Sequence, residues 1–174
     1  MKGITQNELM TLLPLLPRFH RFNREYFDGL LTNDAYPIVT VRWSDGRLRN
    51  TAGLYRRGFN RTRQKICEIV LSAPVLENLP SSAVSSTLCH EMIHAWVDLV
   101  IGVKESHGSN FRARMALINA SQNHFQVSVR HNYPVPVKSP KWFGRCPLCG
   151  ISFTYKRIVR GAACKKCCDS YYGG

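Results

Sequence analysis

Three residues in one short segment have the types and spacing to hold a metal ion and move a proton. They are His90, Glu91 and His94, in the run Cys89-His90-Glu91-Met92-Ile93-His94-Ala95-Trp96. Two histidines four positions apart on a helix project from one face, so both imidazoles can reach one zinc ion. Glu91 then lies at the flank of that site, where it can hold a water and accept its proton. A catalytic zinc needs a third protein ligand and an open position. The next histidine is His107, in His107-Gly108-Ser109-Asn110-Phe111, a short loop beyond the expected helix end at Gly102. Gly108 would let the backbone approach the metal closely. His20, His124 and His131 compete for the same role. The plainer reading is a helix that happens to carry two surface histidines.

A second cluster is made of thiols. Cys146-Pro147-Leu148-Cys149 and Cys164-Lys165-Lys166-Cys167 are two Cys-x-x-Cys turns separated by 14 residues. Each turn offers two thiolates to one tetrahedral zinc, and four thiolates leave no open position, so this zinc would be structural. Two disulfides are the alternative, and the expected absence of an export signal argues against them. Cys168 is expected to be a spare, and Cys67 and Cys89 to be buried apolar residues.

These groups need elements to position them. A helix is predicted from Ser81 or Ser82, taken as N-caps after Pro80, to Gly102, with Leu88, Met92, Ala95 and Leu99 on its core face. Another helix is predicted over 109–119. Upstream, residues 5–27 have helical spacing interrupted by Pro14 and Pro17. Strands are predicted over 36–44, 52–57 and 66–72, the last being the expected edge for binding substrate backbone. Tyr133-Pro134-Val135-Pro136 reads as a linker. A further strand is predicted over 153–159, between the cysteine pairs.

Charge then suggests a partner. The chain has 174 residues with 24 Lys+Arg against 11 Asp+Glu, a formal net charge of +13. Such a balance favours a polyanion. Residues 138–174 carry eight of those cations and one acid. Lys141, Trp142, Arg145, Tyr155, Lys156, Arg157, Arg160, Lys165 and Lys166 are the candidate nucleic-acid contacts there. Cations that follow phosphates beside aromatics that stack bases suit single-stranded or distorted DNA. The apolar run Leu12-Leu13-Pro14-Leu15-Leu16 is too short to span a bilayer and has no cleavage site after it, so neither a membrane anchor nor a signal peptide is expected. A cytoplasmic monomer is expected, nucleoid-associated if the source is bacterial.

The metal-site run and His107-Gly108-Ser109-Asn110-Phe111 closely resemble the SprT-like metallopeptidases, which include the Spartan proteases. Phe22-Asn23-Arg24-Glu25-Tyr26-Phe27, Ile69-Val70-Leu71-Ser72 and the cysteine module are similar to that family too. The resemblance implies that His90, His94 and His107 bind zinc and that Glu91 is the catalytic base. It further implies cleavage of proteins bound or crosslinked to DNA. The expected fold is α+β: a zincin-like metallopeptidase domain over 1–136, with a small mixed sheet and an active-site helix, then a zinc ribbon over 137–174. Two zinc ions per chain are expected, one catalytic and one structural. The main alternative is a nucleic-acid-binding zinc protein without protease activity.

Overall fold

The structure is a computed structural model that describes residues 15–59, 61–63, 65–134, 142–155 and 163–172; of residues 65, 66, 155 and 172 it describes the backbone. The chain divides into two compact units, Met1–Pro136 and Val137–Gly174.

The first unit opens with helix α1, Leu15–Tyr26. Its buried residues Leu15, Phe19, Phe22 and Asn23 recur at helical spacing. Pro17 is tolerated because the first-turn N–H groups have no intrahelical partner. The first part of the predicted helix, residues 5–14, lies outside the described residues. Asn23 is buried and fully used: its Oδ1 accepts from Leu31 N–H and its Nδ2 donates to Thr32 Oγ1.

A mixed three-stranded sheet follows, made of β1 (Thr40–Trp43), β2 (Gly53–Phe59) and β3 (Lys65–Leu71), in the order β1-β3-β2. Strand β1 runs parallel and β2 antiparallel to β3. This corrects one expectation. The segment predicted as the substrate-binding edge is the central strand, hydrogen-bonded on both sides, and has no free backbone to offer. Alternation predicts a strand but says nothing about its neighbours.

Helix α2, Ala73–Leu76, is capped by Ser72, whose Oγ accepts from Val75 N–H. Helix α3 spans Ser81–Trp96 and widens into a π turn over Val97–Ile101. It stops at Gly102, whose φ of 75° is left-handed, as the sequence predicts. Its N-cap is Pro80, and Ser81 Oγ instead accepts from Arg18, so the expected serine cap is not formed. Helix α4, Ser109–Ser121, follows. Sheet, α1 and α4 all pack on α3, around Phe19, Phe22, Ile69, Leu88, Met92, Ile93 and Phe111.

The second unit contains a hairpin of β4 (Trp142–Arg145) and β5 (Ser152–Tyr155) and helix α5, Lys165–Tyr172. The second cysteine pair lies at the start of α5. The described part of the predicted 153–159 strand is β5; the rest lies outside the described residues. No described helix is long and apolar enough to cross a membrane.

The sheet face away from α3 buries one carboxylate, Glu68, with 7% of its surface exposed. Arg42 Nε donates to its Oε2 at 2.8 Å, and Arg56 Nε to its Oε1 at 2.6 Å. Burial pushes the Glu68 carboxyl up, but the hydrogen bonds from Arg42 and Arg56 outweigh it and hold it below the usual carboxylate range. A lowered folded pKa adds stability above the ordinary carboxylate pKa, and that stability is lost as pH falls through the folded value. Glu68→Gln should therefore cost about 1–2 kcal/mol at neutral pH, the arginines being half exposed. Thermal melts at pH 7 and at pH 3 measure this. The difference between parent and variant should shrink at the acid end.

Candidate metal centre

Helix α3 is buried nearly all round, and the two ionisable residues buried near its middle, His90 and Glu91, are held by different backbone segments. The Nδ1 of His90 lies 2.8 Å from the carbonyl oxygen of Ser128. A carbonyl only accepts, so Nδ1 carries the proton and the Nε2 lone pair is free. That lone pair meets the other two histidines: His90 Nε2 is 3.2 Å from both His94 Nε2 and His107 Nε2. The ligand atoms of His90, His94 and His107 all lie within 4.8 Å of one another. Tetrahedral zinc with bonds of about 2.0–2.1 Å brings its nitrogens to about 3.3 Å separation, so the spacing fits. Phe111, from the first turn of α4, packs its ring against all three imidazoles at 4.7–4.9 Å.

The electrostatics favour ligation. Burial pushes His90 down to about 3, and His94, His131 and His107 add to it, while the Ser128 bond opposes. Burial and then His107 push His94 down to about 4. Burial, Arg112 and Arg130 lower His107. All three rings are neutral at neutral pH, the form that binds a metal. Of the rivals, His131 lies against His90, with ring centroids 5.3 Å apart, but is outside the ligand set; His20 and His124 are exposed.

Glu91 owes its position to β2. Its Oε2 accepts from Tyr55 N–H at 2.8 Å. This approach needs a glycine. A Cβ on Gly53 would lie 2.7 Å from Glu91 Oε1 and 2.9 Å from Thr87 Cγ2. Burial pushes the Glu91 carboxyl up to about 7 although the Tyr55 bond draws it down. The Tyr55 hydroxyl also donates to Asp98 at 2.7 Å, at the far end of the same helix. Gly108 has a different role from the one expected. A Cβ there would meet Glu105 Oε2 at 2.5 Å, and Glu105 accepts from Phe111 N–H, fixing the entry to α4.

A cavity of about 360 Å³ lies beside His90 and His107. It is lined by His90, Glu91 and His107, by Asn50–Ala52 and Val75, and by residues 129–133. Sequence reasoning did not find the roles of Tyr55, Gly53, Ser128 or Phe111. The Tyr55 and Ser128 contacts are backbone contacts, on which no side-chain pattern reports.

In the second unit the sulfurs of Cys146, Cys149, Cys164 and Cys167 lie within 4.8 Å of one another, and Cys149 and Cys164 are 3.5 Å apart. Gly150, at φ 75°, donates its N–H to Cys146 O and closes the first turn. The N–H of Cys164 donates to Cys146 Sγ and draws that thiol below its ordinary pKa. Cys168 is outside the set. Cys67 and Cys89 are buried in the first unit. Of the candidate nucleic-acid contacts, Trp142, Arg145, Lys165 and Lys166 are exposed. Arg145 Nε is engaged with Gly150 O at 2.9 Å, within the cysteine turn. Tyr155 is the cross-strand partner of Trp142, which puts the two positions on one hairpin face. Lys141, Lys156, Arg157 and Arg160 lie outside the described residues.

Residues 15–131 match the SprT-like family. The chain belongs to the SprT-like family. Its relatives include DNA-dependent metalloprotease dvc-1 of Caenorhabditis elegans, 32% identical over 136 residues, or 74% of this chain and 34% of that protein. DNA-dependent metalloprotease SPRTN of Xenopus tropicalis is 34% identical over 117 residues, 66% of this chain and 24% of its own. The human SPRTN is 33% identical over 117 residues, 66% and 22% respectively. This SprT-like chain thus spans about a third or less of the length of these curated relatives.

The two ligand sets predict two metal ions of different lability. Neutral imidazoles around an open position release zinc more readily than four thiolates do. Elemental analysis during a chelator titration should show one zinc leaving early and one late. His107→Ala should remove the early one alone. Release of both together would contradict the assignment.

Proposed function

We propose that this SprT-like chain is a zinc metalloendopeptidase of zincin-like fold that cleaves proteins bound or crosslinked to DNA. The observation that carries the reading is the buried Glu91 carboxylate, held by Tyr55 N–H beside three imidazoles whose lone pairs converge. In a protein whose metal sites were both structural, that carboxylate would be buried to no purpose, so the binding-only alternative is not favoured. His90, His94 and His107 hold the catalytic zinc; Cys146, Cys149, Cys164 and Cys167 hold a structural one. A zinc ion bound to the three histidines supplies Lewis acidity to the attacking water and the scissile carbonyl.

The chain's own groups do the rest. Ser128 O keeps the His90 proton on Nδ1, so Nε2 stays available as a ligand. Tyr55 N–H fixes Glu91 Oε2 and leaves Oε1 to accept the proton of the attacking water. With its carboxyl raised to about 7, Glu91 can take that proton and return it to the leaving amine near neutral pH. Strand β2 is the sheet edge next to Glu91, with β3 on its other side. An extended substrate laid along that edge would be bound mainly by its backbone, giving broad side-chain tolerance.

The second unit is read as a zinc-ribbon-like module that binds single-stranded or distorted DNA. Its support is eight cations against one acid in residues 138–174, with Trp142, Phe143 and Tyr171 at 46%, 79% and 73% exposure. Binding DNA would concentrate the catalytic site near proteins already on it. A monomer is sufficient for this, and the location follows the DNA, in the nucleoid if the source is bacterial.

The direct test incubates the purified protein with a protein covalently attached to an oligonucleotide, with and without chelator. Chelator-sensitive fragments are expected. Glu91→Gln should keep both zinc ions and lower cleavage at least about a hundredfold; undiminished cleavage would refute the mechanism. Deleting residues 138–174 should abolish most affinity for single-stranded DNA, read by fluorescence anisotropy across a salt series, and leave the histidine-site zinc in place. Equal affinity of the truncated chain would move the DNA site to the first unit.

A further inference from the structure

Residues 42–65 hold eight cations and one acid, the same excess as residues 138–174 in a shorter stretch. They run from β1 through the β1–β2 loop and β2 to the β2–β3 turn and the start of β3. We propose that the sheet face away from α3, with that turn, binds the phosphate backbone of duplex DNA, as a second surface besides the one read for the cysteine unit. The binding itself needs no catalysis; its link to cleavage rests on the metallopeptidase reading.

Three of the eight cations are set aside. Arg57 lies 3.4 Å from Asp98 of the helix, and Arg47 is offset by Asp45 at 3.3 Å. The side chain of Lys65 lies outside the described residues. Of the other five, Arg42 on β1 and Arg56 on β2 stand either side of Glu68 on the central strand. Each donates through Nε to a different oxygen of that carboxylate, and Arg42 Nη1 also donates to Trp43 O. The acid is buried and the two arginine side chains are half exposed, so one negative charge lies beneath two positive ones. Their guanidinium groups are ordered before any ligand arrives, which lowers the entropy cost of binding one. Arg61 and Arg63 are exposed in the turn at one end of the sheet. Arg49, with Nε bonded to Gly46 O, is exposed in the loop at the other end. Strand β3, Lys65–Leu71, separates those ends by about 20 Å.

The partner is chosen by what this face lacks. By alternation its remaining positions are Thr40, Leu54, Gly58, Ile66 and Val70, none of which has a ring. Single strands gain much of their affinity by stacking bases on aromatic side chains. Where only phosphates are contacted, charge density decides, and a duplex carries one charge per 1.7 Å or so of its axis. Arginines without rings therefore favour the duplex, whereas the hairpin with Trp142 and Tyr155 has the opposite composition. Strand β2 then works on both faces. Arg56 meets phosphate on one, and Tyr55 beside it fixes Glu91 by its amide. DNA held on this strand keeps a protein attached to it close to the candidate site.

The test uses the full chain in fluorescence anisotropy, with a labelled duplex of about 20 base pairs and its single strand, across a salt series. Arg61→Glu with Arg63→Glu reverses two charges of the turn, and Arg56→Gln removes one from the sheet face. Arg21→Glu with Arg24→Glu makes the same change of net charge at exposed positions of α1. The turn variant should weaken duplex binding at least about tenfold and lower the slope of log affinity against log salt by about 2, with single-strand affinity within about threefold. Arg56→Gln should lower the duplex slope by about 1. The α1 variant should stay within about threefold of the parent on both probes. Unchanged duplex affinity in the turn variant, or an equal loss in the α1 variant, would overturn the proposal. So would displacement of the duplex by a polyglutamate peptide at equal charge, which would point to an acidic protein segment instead. Cleavage of a DNA-attached protein is read separately. A parent that binds duplex through Arg61 and Arg63 yet cleaves nothing refutes the metallopeptidase reading alone. A parent that cleaves, with duplex affinity untouched by the variants, refutes this surface alone.

Discussion

An ionisable group buried at the centre of a helix is costly unless the surrounding chain answers it, and α3 carries two, a carboxylate and an imidazole. Of its 16 residues, 13 are buried, among them His90 and Glu91. An unanswered buried polar group costs about 1–3 kcal/mol, more when charged. Two backbone groups supply the answer: Ser128 O on one side and Tyr55 N–H on the other. Much of the fold around the site exists to bring those two groups there. Strand β2 must approach closely enough to need Gly53, and the chain after α4 must double back along the helix.

The same enclosure sets the chemistry. Burial lowers the imidazole pKa values and raises that of Glu91, so one environment keeps the imidazoles neutral and brings the carboxyl to about 7. The aromatic floor at Phe111 holds the three rings together without adding charge. In the second unit the logic is different. There the thiols are grouped by two tight turns on a hairpin and a short helix, and backbone N–H groups of those turns stabilise the Cys146 sulfur.

The sequence is informative where chemistry is carried by side chains at fixed spacing. His90, Glu91 and His94, the helix stop at Gly102 and the two cysteine pairs are all of this kind. The three strands also emerge from alternation, within a few residues of their observed limits. What alternation cannot tell is which strand lies at the centre, so the 66–72 segment reads as an edge although β3 is the central strand. The π turn after Trp96, the short helix after Ser72 and the backbone contacts to His90 and Glu91 leave no periodic trace. His131 was read as a rival ligand, because one histidine in a sequence looks like another until its neighbours are known.

Tyr55 touches α3 twice, at Glu91 through its amide and at Asp98 through its hydroxyl. Those two points are seven residues apart, about two turns along one side of the helix. A rod pinned at two points along its length cannot roll about its own axis. The angular aim of His90, Glu91 and His94 is therefore set in part by β2, which contributes none of these side chains. Their side-chain ends lie about 6 Å from the axis, so a roll of about 10° would carry each roughly 1 Å sideways. Tyr55 thus adds a torsional restraint to a helix that the sheet, α1 and α4 already pack, and damage at Asp98 would be felt at the histidine cluster as a change of angle.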